Sequence, residues 1–229
     1  MGVATLGIGN TGLSDHRLLR TEVYEYLRTE LIAGNLKPGM FISMSKLMKT
    51  LGISRTPLRD ALLQLQSEGF DSFLPQRGIQ ITELSQNDIE NLYEILGALE
   101  SQILVSVFDR VTPEIIEEMT WKNREMLANI ADEKINEYFD LNVAFHSIYI
   151  SMSTNAPLRN LIETVRQRLF VFGKKDWSRK MRELNHSEHL EFLSLLERGD
   201  AILSADYLRD YHCNYQILKD AENNWQDSQ

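Results

Sequence analysis

Between Arg17 and Ile32 the apolar residues return at helical spacing, with Leu19, Val23, Tyr26, Leu27 and Ile32 near one face. The pattern predicts a helix from Arg17 that Gly34 ends, and Lys37-Pro38-Gly39 predicts a turn. A short helix follows from about Ser45 to Leu51, stopped by Gly52. Ser54 is placed to cap a third helix, Arg55 to Glu68, with Pro57 in its first turn, where a missing N–H costs little. Gly69 ends it. Two short extended pieces, Phe73-Leu74 and Ile79-Gln80-Ile81, flank Pro75-Gln76-Arg77-Gly78 and predict a hairpin with a basic tip.

Beyond Ser85 every apolar pattern is helical. Ser85 caps a helix running to about Arg110, and Thr112-Pro113-Glu114 supplies an N-cap, an N1 proline and a first-turn acid for a second. A third spans Asp132 to about Ser153, a fourth starts at Pro157 and ends before Gly173, and a fifth runs from near Ser178 to Arg198. Gly199-Asp200 then separates it from one last helix toward Asn224. The expected fold class is mainly α: three helices and a β-hairpin arranged as a winged helix-turn-helix, joined to an all-α antiparallel bundle. The expected domains are a mobile tail at 1–15, a winged domain at 16–85 and a helical domain at 86–229, with Ser14 and the residues before it too polar and glycine-rich to carry a period.

Composition changes this picture in one place. The 229 residues carry 24 Lys+Arg against 33 Asp+Glu, a formal net charge of −9, which argues against nucleic acid as a partner. Residues 1–85 hold nine basic and eight acidic side chains, net +1, so the remainder carries −10. The acidity belongs to the helical half, and the span 43–60 holds Lys46, Lys49, Arg55 and Arg59 against Asp60 alone. One cysteine fits a reducing cytoplasm and excludes an intramolecular disulfide framework. No apolar run approaches the roughly 18–20 residues of a membrane helix, and the first residues lack the pattern of a secretory signal.

The third helix carries the residues of a major-groove reader. Arg55, Thr56 and Arg59 occupy its first turn and a half, the part that meets base edges in such docking, while Leu58, Leu62 and Leu65 face the first two helices. Ser54 and the helix N-terminus suit a phosphate, Lys46 and Lys49 are placed for the DNA backbone, and Arg77 with Gly78 forms the hairpin tip. Taken singly, arginines on a helix are usually solvated; order, spacing and caps together point to double-stranded DNA.

Residues 23–85, with E-L-I-A-G-N-L-K-P-G, L-G-I-S-R-T-P-L-R-D-A-L-L-Q-L-Q-S-E-G-F and L-P-Q-R-G-I-Q-I, resemble the DNA-binding domain of GntR-type bacterial transcription regulators. By that resemblance Arg55, Thr56 and Arg59 contact operator bases or phosphates, and Arg77 and Gly78 make the wing contact. Asp71 departs from the family, which usually has an apolar residue there, and is expected to loosen the hairpin's packing. The second half is similar, more weakly, to the FadR subgroup's all-α effector domain, often abbreviated FCD, through L-Y-E-I-L-G-A-L-E, Phe145-His146, Asn155 with Leu158, and E-H-L-E-F-L-S-L-L-E-R-G-D.

The resemblance implies a divalent metal, of the Zn or Ni type, on one Asp and three His. His146 and His189 take two of these positions, and Asn142, four residues before His146, stands where the family has Asp. The fourth position falls on Tyr211 in an unbroken helix, with His212 rotated by about 100°. Either an extra residue is absorbed near Gly199-Asp200, restoring His212, or the site lacks its third histidine; His186 is an alternative ligand and His16 lies outside the bundle. The family's carboxylate-binding Arg is replaced by Leu96, next to Gly97. Arg166 or Arg168 is a substitute, though solvent exposure is the ordinary role of either. Tyr93, Tyr149, Tyr211, Phe170 and Phe172 are candidates to line an effector pocket, although aromatics at helical spacing more often pack the core.

The function expected from all this is a homodimeric transcription repressor that reads a pseudo-palindromic operator and answers to a small metabolite, an organic acid by family default. A DNA binder with a vestigial, unliganded bundle is the alternative. A metal-dependent enzyme is disfavoured, because no general base stands at a metal-hydrolase spacing and Cys213 has no His/Asn context for a nucleophile.

Overall fold

The computed structural model describes residues 13–74, 78–173 and 177–226, and the chain divides after Leu84 into two compact units. In the first, helix α1 (Leu13–Ile32), strand β1 (Phe41–Ile42), helices α2 (Met44–Leu51) and α3 (Arg55–Ser67), and strands β2 (Asp71–Leu74) and β3 (Gly78–Ile81) follow in order. Helix α1 starts four residues before the expected Arg17, because no glycine or proline follows Gly12 until Gly34, so residues 13–15 are helix and not tail. Val23, Leu27 and Leu31 of α1 pack with Leu58, Leu62 and Leu65 of α3, all six almost fully buried. Each such side chain contributes roughly 1.5–3 kcal/mol by leaving water.

The wing is larger than the expected hairpin. β1 is two residues long, too short for any alternation to announce it, yet it pairs antiparallel with β3 to give the order β1-β3-β2. The Lys37–Gly39 turn brings it there: the Gly39 N–H donates to the Ile81 carbonyl at 3.1 Å and the Ile81 N–H donates to the Met40 carbonyl at 2.8 Å. Gly52 closes α2 in the left-handed region at φ 66°, its N–H bonding the Met48 carbonyl, as an αL cap does. Arg77 lies outside the described residues.

The second unit holds α4 (Gln86–Val107), a 3₁₀ turn (Phe108–Arg110), α5 (Pro113–Ala131), α6 (Ile135–Ser151), α7 (Ala156–Gly173) and α8 (Arg179–Glu197). The last expected helix is divided into α9 (Ala201–Tyr207), a π-turn (Leu208–His212) and α10 (Tyr215–Gln226). Ser85 and Asp88 form a reciprocal capping box that fixes the start of α4. Among the described residues this unit has no strand. Helix α4 is its centre, touching α6, α7, α9, α10 and the π-turn, while α5 packs on α6 and α8.

Candidate DNA-facing helix and metal centre

In the winged unit Arg55, Thr56 and Arg59 are exposed along one side of α3, opposite the buried Leu58, Leu62 and Leu65. Ser54 sits at the N-cap, where the sequence placed it, with extended backbone, but its side chain makes no cap bond. The N-terminal N–H groups of α3 are thereby left without that cap. On α2 the cap is Ser43, whose hydroxyl accepts from the Lys46 N–H, and both Lys46 and Lys49 are exposed. A groove between α3 and the wing is lined by Arg55, Thr56, Arg59, Gln66, Asp71 and Gly78. Asp71, expected to loosen the hairpin, is the first residue of β2 and is buried, its Oδ2 without a hydrogen-bond partner; burial pushes its carboxyl up to about 7.

In the helical unit three imidazoles meet. His146 of α6, His189 of α8 and His212 of the π-turn bring ligand atoms within 4.8 Å of one another. The Nε2 of His146 lies 3.2 Å from that of His189 and 3.2 Å from that of His212. Each Nδ1 is engaged elsewhere: His146 with Glu100 Oε2 at 2.9 Å, His212 with Glu188 Oε2 at 3.0 Å, and His189 with Asn123 Oδ1 at 3.1 Å. A carboxylate or an amide oxygen only accepts, so Nδ1 of His146 and of His189 carries the proton and, with these two rings neutral, their Nε2 lone pairs point at one another. Burial holds the His146 imidazole down at about 4 despite Glu100, and burial together with the other two rings holds His189 well below its ordinary range. Both are neutral near pH 7.

Asn142, one turn before His146, is directed to the same place, and its Oδ1 is buried with no hydrogen-bond partner. It lines a cavity of about 80 Å³ with His146, His212, Tyr93, Leu96 and Phe139. Several of the candidate side chains are placed elsewhere. Arg166 is buried, not solvated: its Nε and Nη2 donate to Glu100 Oε1 at 2.8 and 2.6 Å, so its charge is already matched. Tyr149 is a core residue whose hydroxyl donates to Glu100 Oε2 at 2.5 Å. Tyr211 is 48% exposed and points away from the cavity group. Phe172 is buried and, unlike Phe170, does not line the cavity. His186 turns its Nδ1 to Asn123 and stands outside the three-histidine group. Cys213, which was expected to be inert, is buried, and burial raises its thiol well above the usual range.

Glu100 holds its position by the same contacts. Burial alone would raise its carboxyl, but the Arg166 guanidinium and the His146 contact keep it well below the usual carboxylate range. The register question at the third histidine is answered by the π-turn, which inserts one residue at 208–212 and not near Gly199-Asp200. His212 is turned inward and buried, and Tyr211 outward.

Residues 19–81 match the family model "Bacterial regulatory proteins, gntR family", and residues 91–211 match the "FCD domain" model, over half the chain. The chain belongs to the GntR family of transcription regulators. This GntR regulator is 30% identical over 169 residues to the Nta operon transcriptional regulator of Aminobacter aminovorans, covering 72% of this chain and 77% of that one. It is 30% identical over 147 residues to the HTH-type transcriptional regulator YdhC of Bacillus subtilis, spanning 63% of this chain and 65% of that relative's length. It is also 20% identical over 226 residues to the HTH-type transcriptional repressor RspR of Escherichia coli, covering 94% and 96%. The solved E. coli McbR/YncC superposes with a TM-score of 0.66 at 21% identity over 92% of this chain and 99% of its own, which is a likeness of fold.

The regulator's relatives are transcription regulators and not enzymes, and the protein is a DNA-binding transcription regulator of the GntR/FCD type. Among its described residues no helix is long and apolar enough to cross a membrane. Sequence reasoning missed Glu100, Glu188 and Asn123, the partners of the three imidazoles. A signal for two of them was present. Glu100 stands on the apolar face of α4 with Leu96, Ile103 and Leu104, and Asn123 interrupts the buried stripe Ile116, Met119, Met126, Ile130 of α5. A polar residue on a core stripe calls for a buried partner.

Proposed function

We propose that the regulator is a homodimeric, cytoplasmic repressor whose hold on a pseudo-palindromic operator is set by a small effector and a divalent ion in the helical unit. The observation that carries the ion is the facing pair of Nε2 atoms of the neutral His146 and His189 rings, 3.2 Å apart, beside the third imidazole of His212 and the orphaned Oδ1 of Asn142. Two acceptors pointing at each other repel, and a cation between them removes the repulsion. The residues present fit such a group: three imidazole nitrogens from His146, His189 and His212 and an amide oxygen from Asn142 suit Zn or Ni. The charge that Asn142 does not bring is supplied one bond further out, where Glu100 and Glu188 raise the basicity of two ligands. Such an ion supplies open positions for a ligand's oxygen.

The cavity beside it, about 80 Å³, is far below the roughly 300–1,000 Å³ of drug-sized pockets, which favours an effector of a few heavy atoms. With Leu96 in place of an arginine and Arg166 neutralised by Glu100, an organic acid is held through the ion, with Tyr93 and Phe139 as walls.

On the DNA side Arg55, Thr56 and Arg59 read bases, Lys46, Lys49 and the Ser54 end of α3 meet phosphates, and Arg77 with Gly78 makes the wing contact. Asn91, Ile95, Ala98, Gln102 and Val105 recur on the exposed side of α4 at spacings of three and four, which supports pairing of two such helices. Operator binding by the full chain, measured across salt, tests the DNA part. Arg55→Ala and Arg59→Ala are each expected to weaken binding by about 1–3 kcal/mol. Unchanged affinity would remove α3 as the reader, and unchanged affinity on chelation would remove the ion from regulation.

A further inference from the structure

The π-turn and helix α4 meet at a point that only glycine fits. Continued in α geometry, the helix that begins at Ala201 would carry Tyr211 inward; the extra residue of the π-turn rotates the chain by about 100° and carries His212 inward instead. The turn lies directly on α4 at Gly97. A Cβ added to Gly97 would stand 2.9 Å from the Cys213 Cβ, 3.0 Å from the Arg209 carbonyl oxygen and 3.2 Å from the Arg209 Cα. Two of these three atoms are backbone of the turn and cannot swing aside as the end of a long side chain can. Gly97 is not in a left-handed conformation and closes no helix, so neither φ nor capping explains it. In mid-helix a glycine costs about 1 kcal/mol relative to alanine, which close approach of the turn has to offset.

We infer that Gly97 is a positioning residue for His212: it sets how deeply the π-turn docks on α4, and so places the third imidazole against His146. This rests on the reading of the three histidines as metal ligands. One turn further along the same helix, Glu100 orients His146 through Nδ1. Helix α4 therefore sets two of the three ligands from positions three residues apart, one by leaving space and one by a hydrogen bond.

Zinc titration of the full-length protein, with cobalt as a spectroscopic substitute, tests this as a double-mutant cycle. Gly97→Ala is expected to lower ion affinity about tenfold and His212→Ala about a hundredfold. The double variant is expected to match His212→Ala alone, because Gly97 has nothing left to position. Losses that multiply would show that Gly97 acts on the fold at large and would overturn the inference. Cys213→Val thickens the same contact from the turn's side, and the same non-additivity is expected if Gly97→Ala is too unstable to purify; additivity there overturns it equally. If the parent protein takes up no ion, the metal reading fails by itself, and imidazole ¹⁵N spectra then decide the placement. In Gly97→Ala the His212 signals, assigned by their loss in His212→Ala, should move while those of His186 stay. Unmoved His212 signals would contradict the positioning role.

Discussion

At Asp71 one carboxyl opposes the packing of the winged unit. Its folded value of about 7 lies above the ordinary 3.8, so the neutral acid is the form the fold prefers. Its penalty is absent at low pH, grows as pH rises from about 4, and is complete above 7. Asp71→Leu is expected to stabilise the winged unit at pH 8 by about 1–3 kcal/mol, with a much smaller gain at pH 4, by chemical denaturation at the two pH values. An equal gain at both would mean the carboxyl is not the source. The sequence marked Asp71 as out of pattern, but only the β2–β3 register, which sets Asp71 opposite Ile81, turns it into the interior. Arg166 teaches the converse. Helical spacing left it a surface cation, since the acid that draws it inward stands 66 residues away on another helix.

Among elements, the helices were legible because each carries its own period and punctuation: Ser85 before α4, Pro113 opening α5, Ser178 capping α8. Two elements were not. β1 exists only through its pairing with β3, and the π-turn only through what it brings His212 to meet. No local pattern distinguishes a π-turn from an α-helix over five residues, so the choice between Tyr211 and His212 stayed open until the tertiary contacts decided it. Deleting Asp210 removes one residue from the turn and should relax it to α geometry with His212 still inward. Ion affinity, measured by titration, is expected to stay within about tenfold of the parent. Were Tyr211 the inward residue of an unbroken helix, the same deletion would create ion binding where the parent had none.

Over the whole chain the charge of −9 resolves into an N-terminal stretch near neutrality and an acidic helical remainder, so few phosphates are neutralised by net charge alone. The salt dependence of operator binding should accordingly be shallow and set by a handful of side chains, Lys46, Lys49, Arg55 and Arg59 among them. Family and fold were readable because the winged unit carries its motif almost without interruption; His146, His189 and Asn142 were named through the resemblance, whereas the inward turn of His212 and the supporting Glu100, Asn123 and Glu188 were not, because they depend on contacts between helices far apart in sequence. The most direct test is the metal content of full-length protein purified without chelator and then offered Zn or Ni. One ion per chain is expected, lost in His146→Ala and in His189→Ala and retained in Tyr211→Ala. A protein that takes up no ion, or keeps it without His146, would contradict a metal centre on these residues.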